Sequence, residues 1–284
     1  MPGLAGVVRQ PPAREDGEFH APRLLLADDD LLNRDYCLAV LEELGLKADC
    51  VAGGQEAVEK AKQAGYDIIF MDNQMPGMDG FQATETIRRL EAHLRRSPTV
   101  FIIGLTANAA VGDREKCLAC GMDDYLSKPF SVAQMREVLL RSGRVSGLTA
   151  SVVTAPPVKA PVADREVVLI AELEDLDSQL VPGVARKLMI EAMAGLPDKI
   201  AELERLCEVA NYPELMRLAH TVRGGMSVLR LVALADAASQ LEEFAVQHDA
   251  SGARRMLQEL RVNFKLTQPL VDDWLRNKGS HAAL

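Results

Sequence analysis

The sequence predicts two folds in series: an α/β doubly wound domain with a five-stranded parallel sheet, followed by an all-α antiparallel helical bundle. Three observations predict this. A length of 284 residues suits about two cores of ordinary size. Between Arg23 and Arg141, short apolar runs alternate with amphipathic stretches, the pattern of strand then helix. From Arg165 onward the apolar period switches to three and four residues, and proline becomes rare.

In the first domain the predicted strands are Leu24–Ala27, Ala48–Val51, Asp67–Met71, Val100–Leu105 and Asp124–Leu126, with helices between them. The third and fourth are almost wholly apolar, as expected of strands covered on both faces. The stretch 142–164, rich in Gly, Ser, Ala and Pro and without a helical period, reads as a flexible linker. The bundle then occupies 165–277, with breaks expected near Val181–Gly183, Ala210–Pro213 and Asp249–Gly252. Residues 1–21 and 278–284 read as tails, and the boundaries of the first domain fall at 22 and 141.

The bulk numbers exclude several classes. A formal charge of −9 offers no electrostatic footprint for nucleic acid, and the second domain shows no helix-turn-helix pattern. No apolar run approaches the ~18 residues of a membrane span, and the N-terminus lacks a signal-peptide core, so the chain reads as cytoplasmic. Five cysteines, an odd number, suit a reducing compartment, and Cys117 and Cys120 read as semi-buried thiols rather than a zinc or redox pair. Neither Gly53-Gly54 nor Gly224-Gly225 fits a nucleotide-cradling loop, so no ATP-dependent kinase activity is expected.

In a doubly wound sheet, ligands sit beyond the carboxyl ends of the strands. There the sequence places Asp28, Asp29 and Asp30 after the first strand, Asp72 after the third, Thr106 after the fourth, and Lys128 with Pro129 after the fifth. Carboxylates, a hydroxyl and an ammonium converging on one edge make a hard-cation site beside a nucleophilic carboxylate, with donors for a transferred oxyanion.

The runs LLLADDD, YDIIFMDNQMPGMDGF, IIGLTANA and GMDDYLSKPF resemble, in order and spacing, the motifs of response-regulator receiver domains, above all those of hybrid sensor kinases in bacteria. The resemblance implies a flavodoxin-like sheet. It makes Asp72 the phosphoacceptor, and Asp28, Asp29, Asp72 and the Gln74 backbone carbonyl the Mg²⁺ site, with Asp28 acting through water. It gives Lys128 the phosphoryl oxygens, and makes Thr106 and Tyr125 the switch pair. The peptide before Pro129 is expected to be cis.

In the second domain, Pro213 suits the first turn of a helix running to about Leu229. Leu215, Ala219, Val222, Met226 and Leu229 form its apolar stripe. At about 100° per residue, His220 projects roughly 140° from the centre of that stripe, towards solvent. Arg217 and Arg223 flank it, and Gly224 one turn later clears space for a docking partner. His20, His93, His248 and His281, without such surroundings, read as plain surface histidines.

The segment LAHTVRGG resembles the core of histidine-phosphotransfer (Hpt) domains, which implies that His220 carries a phosphoryl group, supported by Arg223, Gly224 and Arg217. Three positions depart from the family pattern: Arg223 stands where lysine is usual, Val228 where asparagine is frequent, and Arg230 where a second glycine is often found.

Together the resemblances imply phosphorelay signal transduction. Asp72 would accept a phosphoryl group from a sensor histidine kinase, and His220 would exchange it with a receiver aspartate, in cis or on another protein. The chain would then need a kinase partner, or be the tail of a longer hybrid kinase. The alternative is a receiver switch joined to a degenerate Hpt-like adaptor that binds a kinase or receiver without carrying phosphate.

Overall fold

The computed structural model describes residues 22–63, 65–106, 111–145 and 165–277. The expected tails at 1–21 and 278–284, and the linker beyond Val145, lie outside the described residues. In chain order the first region runs β1 (Leu24–Ala27), α1 (Leu31–Glu43), β2 (Ala48–Val51), α2 (Gly54–Gln63), β3 (Ile68–Asp72), α3 (Gly80–Leu94), β4 (Phe101–Thr106), α4 (Val111–Ala119), β5 (Asp124–Ser127) and α5 (Val132–Ser142). The second holds α6 (Arg165–Gln179), α7 (Val184–Glu208), α8 (Tyr212–Val228), α9 (Val232–Val246) and α10 (Ala250–Asn277). By backbone contacts the chain divides into two compact units: one holds all five strands, and the other holds the C-terminal helices together with Asp30–Glu43 and Lys128–Val132.

All strand pairings are parallel, in the order β2-β1-β3-β4-β5. The order reverses between β1 and β3, so the crevice of a doubly wound sheet opens beyond the ends of those two strands. Every residue of β1 and β3 is buried, which is why their sequences are continuous apolar runs rather than alternating ones. Leu25, Ala27, Ile69, Met71 and Ile102 pack with Ala57, Val58 and Ala61 of α2 and Ala83 and Ile87 of α3. The alternate residues Leu24, Leu26, Ile68, Phe70 and Ile103 are equally buried on the other face. Full burial of side chains this size contributes roughly 1.5–3 kcal/mol each, which favours this register strongly.

Helix α3 begins with a capping box: the Asp79 side chain accepts from the Gln82 N–H at 2.8 Å, and the Gln82 side chain accepts from the Asp79 N–H at 3.3 Å. On α3, between β3 and β4 in the chain, Arg88 is a hub that ties the helix to the segments leading into β4 and β5. It donates to the carbonyls of Gly121 and Val100 and to the carboxylates of Glu91 and Asp123, at 2.5–2.8 Å.

In the bundle, three turns of three residues each join α7 to α10, and all three use one device. After α8, the Arg230 N–H bonds the Ser227 carbonyl and the Leu231 N–H bonds the Met226 carbonyl, a Schellman motif. Ala210 and Asn211 close α7 in the same way, and His248 and Asp249 close α9. The motif needs a left-handed residue, and here Ala210, Arg230 and His248 adopt φ of 53°, 60° and 55° where glycine is usual.

The third expected break is displaced. The chain turns at 247–249, and Gly252 lies inside α10. A Cβ there would lie 2.2 Å from the Phe244 ring, so this glycine serves a close helix–helix approach rather than a turn. No helix among the described residues is long and apolar enough to cross a membrane.

Candidate functional sites

The sheet register assembles the first site. Ala27 of β1 pairs with Met71 of β3, so Asp28 lies level with Asp72 one residue further on, at the reversal of strand order. Asp28 and Asp72 are 1% and 4% exposed, and Asp29 is half-buried. Carboxylate oxygens of Asp28, Asp29 and Asp72 lie within 4.8 Å of one another. Three carboxylates crowded at partly buried positions repel one another unless a cation joins them, and an all-oxygen donor set suits a hard divalent ion. No histidine or cysteine belongs to this cluster, as zinc would favour.

Asp72 and Thr106 are the last residues of β3 and β4, each one position beyond the strand end expected from sequence. Asp72 pairs with Leu105, and Thr106 with Ser127, the residue before Lys128. Thr106 is buried at 3% exposure, and the Lys128–Pro129 peptide is cis as expected. Tyr125 sits half-buried on β5 with the Arg114 guanidinium 6.0 Å from its ring centroid. The Gln74 N–H donates to Asp72 Oδ1 at 3.2 Å.

One residue beside Asp72 was not singled out from sequence. Gly80, the first residue of α3, packs so closely that a Cβ would lie 2.1 Å from the Asp72 carbonyl oxygen. Its own N–H bonds the Asn73 carbonyl at 3.2 Å. The first turn of α3 thereby braces the backbone of Asp72, and only glycine fits.

The second site is on α8. Its expected stripe is buried throughout, from Leu215 to Leu229 at 0–3% exposure. His220 departs from the solvent-facing orientation that the helical wheel predicts: its side chain is only 17% exposed. Glu242 of α9 reaches it, with Oε1 3.2 Å from Nδ1, and Arg223 Nη2 lies 2.8 Å from the same nitrogen. Arg223 Nη1 and Glu242 Oε2 are 3.0 Å apart, closing a triad of imidazole, guanidinium and carboxylate.

Arg217 does not join it. Its Nε lies 2.9 Å from Glu214 Oε2 in the first turn of its own helix, and the side chain is exposed. Gly224 is buried one turn after His220. Glu242 was missed because nothing in the run LEEF separates it from its neighbour Glu243; only the packing of α8 on α9 does.

Residues 24–140 match the model of the response regulator receiver domain, and residues 187–270 that of the Hpt domain. The sensor protein GacS of Pseudomonas syringae pv. syringae is 44% identical over 121 residues, 43% of this chain and 13% of GacS. The signal transduction histidine-protein kinase BarA of Escherichia coli (strain K12) is 33% identical over 204 residues, 72% of this chain and 22% of BarA. The chain thus spans well under two thirds of the length of either. Among solved structures, the receiver domain of sensor histidine kinase PA1611 from Pseudomonas aeruginosa PAO1, described with a magnesium ion coordinated in its active site cleft, is 43% identical. It covers 43% of this chain and 97% of its own, with a TM-score of 0.39.

Proposed function

A chain that carries a receiver domain followed by an Hpt domain belongs to the two-component phosphorelay proteins, and we propose that it passes a phosphoryl group between Asp72 and His220 and their partner proteins. The observation that carries this reading is the convergence of Asp28, Asp29 and Asp72 at one sheet edge, in the same chain as an imidazole held by a carboxylate and a guanidinium.

In the first step, an Asp72 carboxylate oxygen attacks the phosphorus of a phosphohistidine on a sensor kinase. The P–N bond breaks, its electron pair returns to the imidazole, and an acyl phosphate forms. Such a transfer passes through a loose in-line transition state, which needs positioning and charge neutralisation more than acid–base work. Lys128 supplies a cation for the phosphoryl oxygens and Thr106 a hydroxyl donor, and Tyr125 follows Thr106 as the switch residue. Asp28, Asp29, Asp72 and the Gln74 carbonyl would hold Mg²⁺, which when bound neutralises phosphoryl charge at Asp72.

In the second step, Nε2 of His220 attacks an acyl phosphate. The P–O bond breaks and its pair returns to the aspartate carboxylate. Glu242 orients the imidazole by accepting from Nδ1–H and offsets the positive charge that the ring acquires. The partners are accordingly a sensor histidine kinase upstream and a receiver aspartate, on this chain or another.

The domain limits that go with this reading are 22–141 for the receiver, 142–164 for the linker and 165–277 for the bundle. The test is a phosphotransfer assay with Mg²⁺ and a labelled sensor kinase, comparing the wild type with Asp72→Asn and His220→Gln. The expected result is acid-stable label lost with Asp72→Asn, and base-stable label on the bundle lost with His220→Gln. Onward transfer that survives His220→Gln would rule the reading out.

A further inference from the structure

Nδ1 of His220 has two neighbours that require opposite protonation. Glu242 Oε1, at 3.2 Å, can only accept, so it needs Nδ1–H and leaves the lone pair on Nε2. Arg223 Nη2, at 2.8 Å, can only donate, so it needs the lone pair on Nδ1 and leaves the proton on Nε2. A neutral imidazole satisfies one of them at a time.

The geometry ranks the two. Arg223 is the nearer, and it also lies against Glu242 at 3.0 Å, which offsets the carboxylate's pull on the ring. That second contact is an ion pair without hydrogen-bond alignment: among the described residues, Glu242 Oε2 and Arg223 Nε are buried with no hydrogen-bond partner. The guanidinium therefore has a donor to spare for a better acceptor, and a phosphoryl oxygen is one. The arrangement depends on arginine. Its planar fork touches two groups at once, whereas a lysine would bring a single mobile ammonium.

We infer that Arg223 holds resting His220 as the Nε2–H tautomer, which has no lone pair at Nε2, so that the imidazole becomes a nucleophile only when an incoming phosphoryl group draws the guanidinium away from Nδ1. This rests on His220 being the phosphoacceptor. When Arg223 turns to the phosphoryl oxygens, one proton leaves Nε2 for solvent and one binds Nδ1, where Glu242 accepts its hydrogen bond. The freed Nε2 pair then forms the P–N bond as the acyl P–O bond breaks. Arg223 is in this sense a positioning residue that acts through the ring, and it guards the histidine until a phosphoryl group is present.

The experiment is a long-range ¹H–¹⁵N correlation spectrum of the full chain labelled at histidine, at about pH 8.5, above the ordinary histidine range. Of the five histidines, His220 is identified as the signal set lost in His220→Gln. The wild type is expected to show a protonated Nε2 and an acceptor-type Nδ1. Arg223→Ala and Arg223→Lys are both expected to shift the tautomer ratio towards Nδ1–H by about tenfold, the scale of a charged hydrogen bond. Adding Glu242→Gln to Arg223→Ala should reverse most of that shift.

A wild-type ring that is already mainly Nδ1–H, or a ratio unmoved in both Arg223 variants, would overturn the inference. These spectra do not depend on transfer. Base-stable label persisting on the bundle of His220→Gln would instead overturn the phosphoacceptor reading, and with it the catalytic meaning of the tautomer.

Discussion

The acidic site at the sheet edge and the imidazole site on α8, the two proposed phosphoacceptor sites, are built in opposite ways. Asp72 takes its position from the backbone: the β1–β3 register sets Asp28 beside it, and the first turn of α3 presses against its carbonyl. His220 takes its orientation from side chains, one on its own helix and one on the next. A site fixed by main-chain register tolerates little change around it but reads clearly in sequence. A site fixed by two long charged side chains is adjustable and hard to read.

The largest effect that would break this comparison is at Gly80. A methyl group there meets the Asp72 carbonyl at 2.1 Å, so the strand end or the helix must move. Gly80→Ala is expected to lower phosphoryl acceptance by Asp72 at least tenfold, since misplacement by an ångström is enough for such a loss. Transfer through His220 from a separate phosphorylated receiver should be unchanged. Normal labelling of Asp72 in this variant would show that the backbone brace is not what positions the carboxylate.

Next is stability. Arg88→Ala leaves Glu91, 5% exposed, as a buried carboxylate without its guanidinium, and strips the carbonyls of Gly121 and Val100. Breaking a buried pair from one side costs about 3 kcal/mol, read as a fall in the urea midpoint of the sheet region. The corresponding cut in the bundle, Arg261→Ala, removes an ion pair to Glu204 whose arginine is 54% exposed, and should stay within about 0.5 kcal/mol. Equal losses would mean that the two regions are held together more alike than their ion pairs suggest.

How much of this was legible follows the same division. The five strands stood within one residue of their predicted places, and for β1, β3 and β4 the reason is that continuous apolar runs buried on both faces leave no other register. Asp28, Asp29 and Asp72 could be brought together on paper, since consecutive strand ends in a parallel sheet must share an edge. Gly80 could not, because a glycine after Asp79 looks like part of a turn until the missing Cβ is measured against Asp72.

In the bundle the stripe of α8 was readable by its period and its start by Pro213, but Glu242 was not, and the three turns between α7 and α10 hold no glycine or proline within them. Their left-handed positions are held by Ala210, Arg230 and His248, while Gly252, which looked like a break, is a contact.

A smaller effect belongs to the sheet region alone. Burial, and then the hydrogen bond to Asp49 at 2.7 Å, push the Tyr66 phenol up to about 12. The unfolded phenol ionises near 10, so the neutral form is favoured by folding. Its contribution is complete below about pH 10 and is lost as pH rises towards 12. Tyr66→Phe should therefore lessen the fall in the urea midpoint between about pH 10 and about pH 12. An unchanged fall would place the alkaline sensitivity elsewhere.

The smallest expected effect is the most discriminating about the bundle. Arg230 occupies a left-handed position at φ 60° and sends its guanidinium to Glu172 at 3.3 Å and Asp175 at 3.6 Å on α6. The conformation costs about 1 kcal/mol relative to glycine, whereas exposed ion pairs of this length contribute about 0.5 kcal/mol each at most. Arg230→Ala loses the pairs and keeps the strain, and should destabilise by about 0.5–1 kcal/mol. Arg230→Gly loses the pairs but relieves the strain, at some cost in unfolded-chain entropy, and should fall between Arg230→Ala and the wild type. If Arg230→Gly exceeds the wild type by more than about 1 kcal/mol, the contacts to α6 hold nothing. The arginine would then be a pure departure from the turn's preference, and the anchoring of α6 would rest on apolar side chains such as Leu173 and Leu176, both fully buried.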